Sequence, residues 1–141
     1  MGVRPMSFQP RSAAVARFWA EFCAASGADP LTEFVVDRFG DSAALADELL
    51  GLILAGPKRA TAGLLLDYER SGDPVPTPGL HTVVLDGADT PRAVIRTTWV
   101  DTRPYGAVDA TFAWDEGEGD RTLASWRRDH QAYFSRRCAA L

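Results

Sequence analysis

Apolar residues recur at helical spacing near the start of the chain, where residues 11–27 carry one apolar stripe. Its members are Val15, Phe18, Trp19 and Phe22. Positions three and four apart share one face of a helix, so the stripe predicts a helix packed on the rest of the domain. Ser12 is the expected N-cap and Gly27 the expected end, because serine caps helix N-termini and glycine ends helices.

The same spacing predicts a second helix over residues 40–56. Asp41 or Ser42 opens it, and Gly56 and Pro57 end it. Its apolar face consists of Leu45, Leu49, Leu52 and Ile53.

A last helix is predicted over residues 120–141, capped by Asp120 or Thr122. Its apolar side holds Leu123, Trp126, His130, Tyr133 and Phe134. A stripe at this spacing is most simply explained as core.

The middle of the chain has the apolar and β-branched runs that are typical of strands. A short extended segment is predicted over residues 32–39, and a hairpin over residues 80–106 with its turn at Asp86–Asp89. Residues 61–72 fit either a helical turn or a buried run, and residues 107–117 indicate a short helix. Helices at both ends of a central strand set predict an α+β fold with a small curved sheet or barrel.

Length and composition place the chain among single-domain globular proteins. Its 141 residues, 46% hydrophobic and 24% charged, suffice to bury a core without disulfides. No apolar run approaches membrane-spanning length and the start has no apolar signal segment, so we expect a cytoplasmic protein without a membrane partner. Cys23 and Cys138 are then expected to be reduced thiols. They lack CxxC spacing and the two histidines lie far apart, so no metal and no cofactor are expected.

Net charge bounds the class of partner. At −4 the chain disfavours broad, phosphate-driven binding of nucleic acid, which needs a basic protein or a strongly basic face. A pocket for a small ligand, or for one base of an RNA, fits the charge better.

Lys58 is the only lysine among 15 basic residues. Arginine stays protonated in proteins, whereas a lysine in a desolvated pocket can lose its proton and act as a base. Thr61 follows three positions later on the same predicted loop. The two side chains could therefore face one cavity. The alternative is that the lysine is solvated and the threonine caps the next element.

A second polar segment follows the predicted short helix. Four acids crowd it, namely Asp115, Glu116, Glu118 and Asp120. Gly117 and Gly119 flank Glu118, and glycines let a backbone approach a ligand closely or adopt positive φ. Glu118 is thus a candidate site residue.

Together, G-x-K-x-x-T after a helix and the downstream E-G-E-G-D-R and W-R-x-x-H resemble the ASCH domain of the PUA-like superfamily. The resemblance runs from about Phe39 to Phe134. It implies one ASCH domain over residues 1–141, built as a small PUA-like β-barrel flanked by helices, with a cleft beside the barrel. Gly63 and Leu66 stand where serine and tryptophan are usual in nearer relatives, which leaves the base-stacking partner open.

The resemblance implies one of three functions. The first is hydrolysis of an acyl group from the exocyclic amine of cytidine, with Lys58 as base, Thr61 as nucleophile and Glu118 orienting the amide or relaying protons. Glu116 is the second choice for the carboxylate. The others are non-catalytic RNA binding and ribonuclease activity. The ligand is then a modified nucleoside or a base of single-stranded RNA, and a base role requires burial to lower the pKa of Lys58.

Further residues are expected to bind the substrate rather than react with it. They are Glu116, Arg121, Tyr105, Trp126 and Arg59. Trp99 is an alternative stacking residue, and in an RNA binder Arg121 or Arg127 would meet phosphate.

Overall fold

The computed structural model describes residues 12–141, so position 11, the predicted start of the first helix, lies outside the described residues. The elements in chain order are α1 (Ala13–Ser26), β1 (Phe34–Asp37), α2 (Ala43–Ala55), α3 (Leu65–Ser71), β2 (His81–Leu85), β3 (Pro91–Arg96), a 3-10 turn (Tyr105–Ala107), α4 (Ala110–Glu116) and α5 (Leu123–Ala140).

The helix ends follow the capping chemistry expected from the sequence. Ser12, Ser42 and Thr122 each accept a hydrogen bond from a backbone N–H three residues later, at 3.1 Å in every case. Gly27 and Gly56 end α1 and α2 in the left-handed region. Residues 61–72, left open by periodicity, contain the short helix α3.

The sheet has three strands among the described residues, in the order β1-β2-β3. β2 and β3 form the predicted antiparallel hairpin, and β1 pairs with β2 in parallel. This sheet is not closed, because after Arg96 the chain leaves it and no fourth described strand pairs with β1 or β3. The α+β class is therefore confirmed and the predicted barrel is not.

The core has two clusters on opposite faces of the sheet, because neighbouring strand residues point to opposite sides. Val83 packs against α1, and Val84 packs against α2. Trp19 of α1 stacks on Phe34 of β1 with ring centroids 4.2 Å apart. In the part of the chain that the structure describes, no helix is long and apolar enough to cross a membrane.

Candidate functional site

The loop that carries Lys58 is held between α2 and α4. Gly56 ends α2 with φ 104°, and its N–H donates to Leu52 O at 3.1 Å. The next residues dock on the end of α4, where Arg59 and Ala60 both donate their N–H groups to Asp115 O, at 2.7 and 3.0 Å. Two backbone hydrogen bonds to one carbonyl fix the position of this loop.

Gly117 is required by the same contact. It has φ 68°, and a Cβ at this position would lie 2.4 Å from Pro57 O and 2.6 Å from Lys58 N. Real Cβ atoms do not approach backbone so closely, so glycine permits α4 to end against the loop. From the sequence, the two flanking glycines were expected to permit either close approach to a ligand or positive φ. Gly117 and Gly119 both adopt positive φ, and the group that Gly117 lets approach is the Lys58 loop.

The Lys58 amine binds three acceptors at once. Nζ donates to Ala60 O at 2.8 Å, to Glu116 Oε2 at 3.0 Å and to Glu118 Oε2 at 3.1 Å, with a longer contact of 3.4 Å to Glu116 O. The side chains of Lys58 and Glu116 are 1% and 0% exposed, and that of Glu118 is 12% exposed. An ammonium group has three N–H donors, so the three shorter bonds use all of them.

In this arrangement the pKa of Lys58 moves in the direction opposite to the one that a neutral base requires. Burial by itself lowers the pKa of Lys58, but the charges of Glu116 and Glu118 outweigh it and raise this pKa above its ordinary value of 10.5. A raised pKa favours the ammonium form of Lys58, whereas the predicted base role requires a lowered pKa; the catalytic role of Lys58 stays a prediction.

The two carboxyl groups have pKa values that move apart. Burial raises the pKa of Glu116, yet nearby positive charge, of which Lys58 supplies a part, and the contacts with His130 and Glu118 hold this pKa well below its usual range. Burial, and then the hydrogen bond to Glu116, raise the pKa of Glu118 above 4.5. Pairs of acids whose pKa values are moved apart are typical of sites in which one carboxyl group stays ionised and the other exchanges a proton.

His130 extends the cluster and was missed as a site residue by the sequence. Its Nδ1 donates to Trp126 O at 2.8 Å, and its Nε2 lies 3.3 Å from Glu116 Oε1. The apolar stripe of the last helix assigned His130 to the core, where it does lie, at 1% exposure. The signal that could have found it is the W-R-x-x-H spacing, which stacks the Trp126 and His130 rings 4.1 Å apart.

The cluster resembles a cation site in composition. Glu116, Glu118 and His130 offer ligand atoms within 4.8 Å of one another. Lys58 already donates to both carboxylates, so the chain itself supplies the positive charge that a metal would bring.

A cleft of about 1010 Å³ opens beside this cluster. Lys58 and Thr61 both line it, as the paired motif predicts. Glu118, which was expected to line the same cleft, is not among the described residues that line it; its carboxylate contacts the Lys58 amine beside the cleft. The cleft is large enough for a drug-sized ligand, since such pockets span about 300–1,000 Å³.

The predicted stacking residues differ in what they can offer a ligand. Trp126 lines the cleft but is only 5% exposed, because His130 covers one face and Tyr105 stacks on it at 5.6 Å. Tyr105 donates its hydroxyl to Arg127 O at 2.6 Å. Trp99 lines the cleft at 60% exposure, so it is the aromatic ring most open to a base.

The predicted polar binding residues also separate. Arg59 is exposed and lines the cleft. Arg121 is not among the described residues that line the cleft. Its guanidinium lies 3.7 Å from the centre of the Trp114 ring, and its Nε donates a hydrogen bond to Trp114 O. Glu116 is fully buried among Lys58 and His130, so it contacts the cluster rather than the cleft.

Comparison with known proteins gives a family and a fold. The family model of the ASCH domain matches residues 33–141. The ASCH domain of Lactobacillus crispatus JV V101 is 32% identical, with TM-score 0.81, over 94% of this chain and 86% of that one. A crystal structure from Enterococcus faecalis V583 is 34% identical, with TM-score 0.79, over 90% of this chain and 76% of that one. No curated protein matches the chain.

Proposed function

The chain belongs to the ASCH domain family, a PUA-like family associated with RNA and other nucleic acids, and from this premise we propose that its cleft binds an acylated cytidine and hydrolyses the acyl amide. The observation that carries the proposal is the position of the Lys58 amine. This amine donates one hydrogen bond to the carbonyl oxygen of Ala60, the residue before Thr61, and another to the Glu118 carboxylate.

Thr61 is the nucleophile in this proposal. Its hydroxyl oxygen attacks the acyl carbon, and its proton passes to Glu118, whose raised pKa makes it a better base than an ordinary carboxylate. The C–N bond then breaks, and the proton goes from Glu118 to the exocyclic nitrogen of the leaving cytidine. Water cleaves the Thr61 ester and releases the carboxylic acid, which restores the hydroxyl.

Lys58 acts as a charged positioning group rather than as the first base. Through Ala60 O it holds the loop that carries Thr61, and through Glu118 Oε2 it fixes the base. Both partners then need little reorganisation when the substrate binds, which is how positioned groups lower a barrier. Trp99, which lines the cleft and is more exposed than Tyr105, stacks on the cytosine.

The test is a panel of cytidines acylated on the exocyclic nitrogen with acetyl, propionyl and benzoyl groups, analysed by chromatography for free cytidine. Wild-type protein releases cytidine from at least one member. Thr61→Ala lowers the rate by roughly 10²- to 10⁴-fold. The matched control is Thr98→Ala, because Thr98 is an exposed threonine of the same cleft. It keeps the wild-type rate.

RNA binding without catalysis is the second candidate, and the arginines of the cleft favour it. Arg59, Arg96 and Arg103 are exposed and line the cleft together with Trp99, a combination that suits a nucleotide strand. Filter binding of short single-stranded RNAs at physiological salt separates the two. Tight binding with no cytidine release, and no RNA cleavage, would replace hydrolysis by this function; weak, salt-sensitive binding agrees with the net charge of −4.

A further inference from the structure

We propose that the Tyr68 hydroxyl binds the ligand of the cleft, where it donates a hydrogen bond to a carbonyl oxygen. The identity of the ligand rests on the proposed function, because an acylated cytidine offers two such oxygens, the base carbonyl and the acyl carbonyl. The contact itself is tested by binding, which can be measured whether or not the protein hydrolyses its ligand.

The first step concerns the surroundings of the Tyr68 side chain. Tyr68 lies on α3 and is only 6% exposed, yet it lines the cleft. No described residue shares a hydrogen bond with its hydroxyl. Polar groups in buried side chains usually have a partner, because leaving them without one is costly. The Tyr68 hydroxyl is therefore available to a group that enters the cleft.

The second step concerns Gly63, which lies against the end of the Tyr68 ring. A Cβ at Gly63 would lie 2.9 Å from Cε2 of Tyr68 and 3.0 Å from its hydroxyl oxygen. Gly63 itself lines the cleft. It follows Thr61 by two positions, and two residues of chain span at most about 7 Å. The hydroxyl thus lies beside the same wall of the cleft as the proposed nucleophile.

The third step concerns the kind of group that the phenol can bind. Burial, followed by the negative charges of Asp37 and Asp67, raises the pKa of Tyr68 above its ordinary value of 10.0. The phenol therefore keeps its proton at neutral pH and can donate a hydrogen bond. The same negative charges disfavour an anion as the partner. A carbonyl oxygen is neutral and only accepts hydrogen bonds, so it matches this donor.

The contrast with Tyr105 supports the assignment. Tyr105 also lines the cleft, but its hydroxyl already donates to Arg127 O at 2.6 Å. Among the described residues that line the cleft, Tyr68 is thus the tyrosine whose hydroxyl is left for a ligand. Trp99 offers a ring face, which accepts any base, whereas a hydroxyl selects a ligand that has an acceptor at a defined place.

The test is calorimetric titration with cytidine and with acetylcytidine, which carries its acetyl group on the exocyclic nitrogen. Thr61→Ala is the parent, so that acetylcytidine binds without turnover, and Thr61→Ala combined with Tyr68→Phe is the variant. We expect Kd to rise about 3- to 10-fold in the variant, the usual effect of one neutral hydrogen bond. A rise for both ligands assigns the base carbonyl, and a rise for acetylcytidine alone assigns the acyl carbonyl. Equal Kd values in parent and variant for both ligands would overturn the proposal.

The matched control is Tyr133→Phe in the same parent. Tyr133 is 0% exposed and is not among the described residues that line the cleft, so both Kd values should stay unchanged. Urea titration adds a measurement that needs no ligand. Tyr68→Phe should unfold at a urea midpoint no lower than that of the wild type, because the hydroxyl gives up no bond within the protein. A lower midpoint would show a structural bond and contradict the proposal.

The contact and the proposed hydrolysis can fail separately. Binding that weakens in Tyr68→Phe, together with no release of cytidine by the wild type, overturns the hydrolysis and supports the contact. Release of cytidine by the wild type with Kd values that are unaffected by Tyr68→Phe does the reverse. Absence of binding for both ligands in the parent overturns the contact.

Discussion

Among the described residues, two clusters set a cation against a buried acid, and the two clusters are built differently. On α5, Arg137 meets Asp67 of α3 with two parallel hydrogen bonds of 3.1 and 2.9 Å. At the cleft, one Lys58 amine meets two glutamates. The arginine pair balances one charge with one charge, whereas the lysine cluster has an acid in excess, whose pKa is raised.

The residues around Arg137 have a structural character. Next to Arg137, burial raises the pKa of Tyr133 to about 12, so its phenol stays neutral. Arg136 reinforces this side by pairing with Asp41 at 3.0 Å. The Arg137–Asp67 pair joins α5 to α3, so we interpret it as a structural clamp between helices.

The comparison also explains the lone lysine. A guanidinium is a planar fork suited to one carboxylate, as at Asp67, whereas an ammonium is a compact charge with three donors. Ala60, Glu116 and Glu118 present three acceptors to one point. Only lysine among the basic side chains fits that point.

Replacing either cation with methionine should have the largest effect on stability. Lys58→Met leaves two buried carboxyl groups without their cation, and Arg137→Met does the same to Asp67. Each should lower the free energy of unfolding by roughly 3–5 kcal/mol, measured by urea titration with tryptophan fluorescence. Activity per folded molecule should disappear only in Lys58→Met. Its loss in Arg137→Met as well would remove the distinction between site and clamp.

Alanine substitutions at two glycines, one beside each cluster, compare how tightly the backbone is packed there. Gly117→Ala drives a Cβ into Pro57, next to Lys58, and combines positive φ with a clash, so stability should fall by roughly 3 kcal/mol. Gly72 ends α3, which carries Asp67, at a similar φ of 78° but in open space. Gly72→Ala should therefore cost only about 1–2 kcal/mol. Equal losses by thermal and urea unfolding would show that Gly117 does not hold the loop.

The pH dependence of stability should have opposite signs for the two glutamates. The folded pKa of Glu116 lies below its unfolded value of 4.5, so its contribution is present above pH 4.5 and is lost as pH falls through the folded value. The advantage of wild type over Glu116→Gln should shrink below pH 4.5.

Glu118 is the matched control for that measurement. Its pKa is raised on folding, so the wild type loses stability relative to Glu118→Gln as pH rises from 4.5 through the folded value. Urea titrations from pH 3 to 7 compare the two. Parallel trends in the two variants would contradict the separation of their pKa values.

The sequence predictions that were confirmed depend on residues close together in the chain. The caps Ser12, Ser42 and Thr122 depend on neighbours three residues away, and the hairpin turn at Asp86–Asp89 depends on its own four residues. The parallel pairing of β1 with β2 is different, because it joins segments separated by α2 and α3. Spacing along the chain contains no information about that pairing.

The site shows the same limit. The motifs predicted Lys58 and Glu118 as site residues, but the pKa of Lys58 depends on acids 58 and 60 positions further along the chain. A loop lysine in isolation could be predicted neutral once buried, and the two carboxylates reverse that outcome. His130 was predicted as core because its spacing on α5 is that of its apolar neighbours, and its proximity to Glu116 of α4 exists only in the folded chain.

Exchanging the two kinds of cation tests the central claim most directly. Lys58→Arg and Arg137→Lys both keep the charge, and kcat/KM for cytidine release per folded molecule is the quantity to measure. The account predicts a fall of roughly 10²- to 10⁴-fold in Lys58→Arg, because a planar fork cannot hold Ala60 O and both glutamates, and no more than about a threefold change in Arg137→Lys. A Lys58→Arg protein as active as the wild type would contradict it.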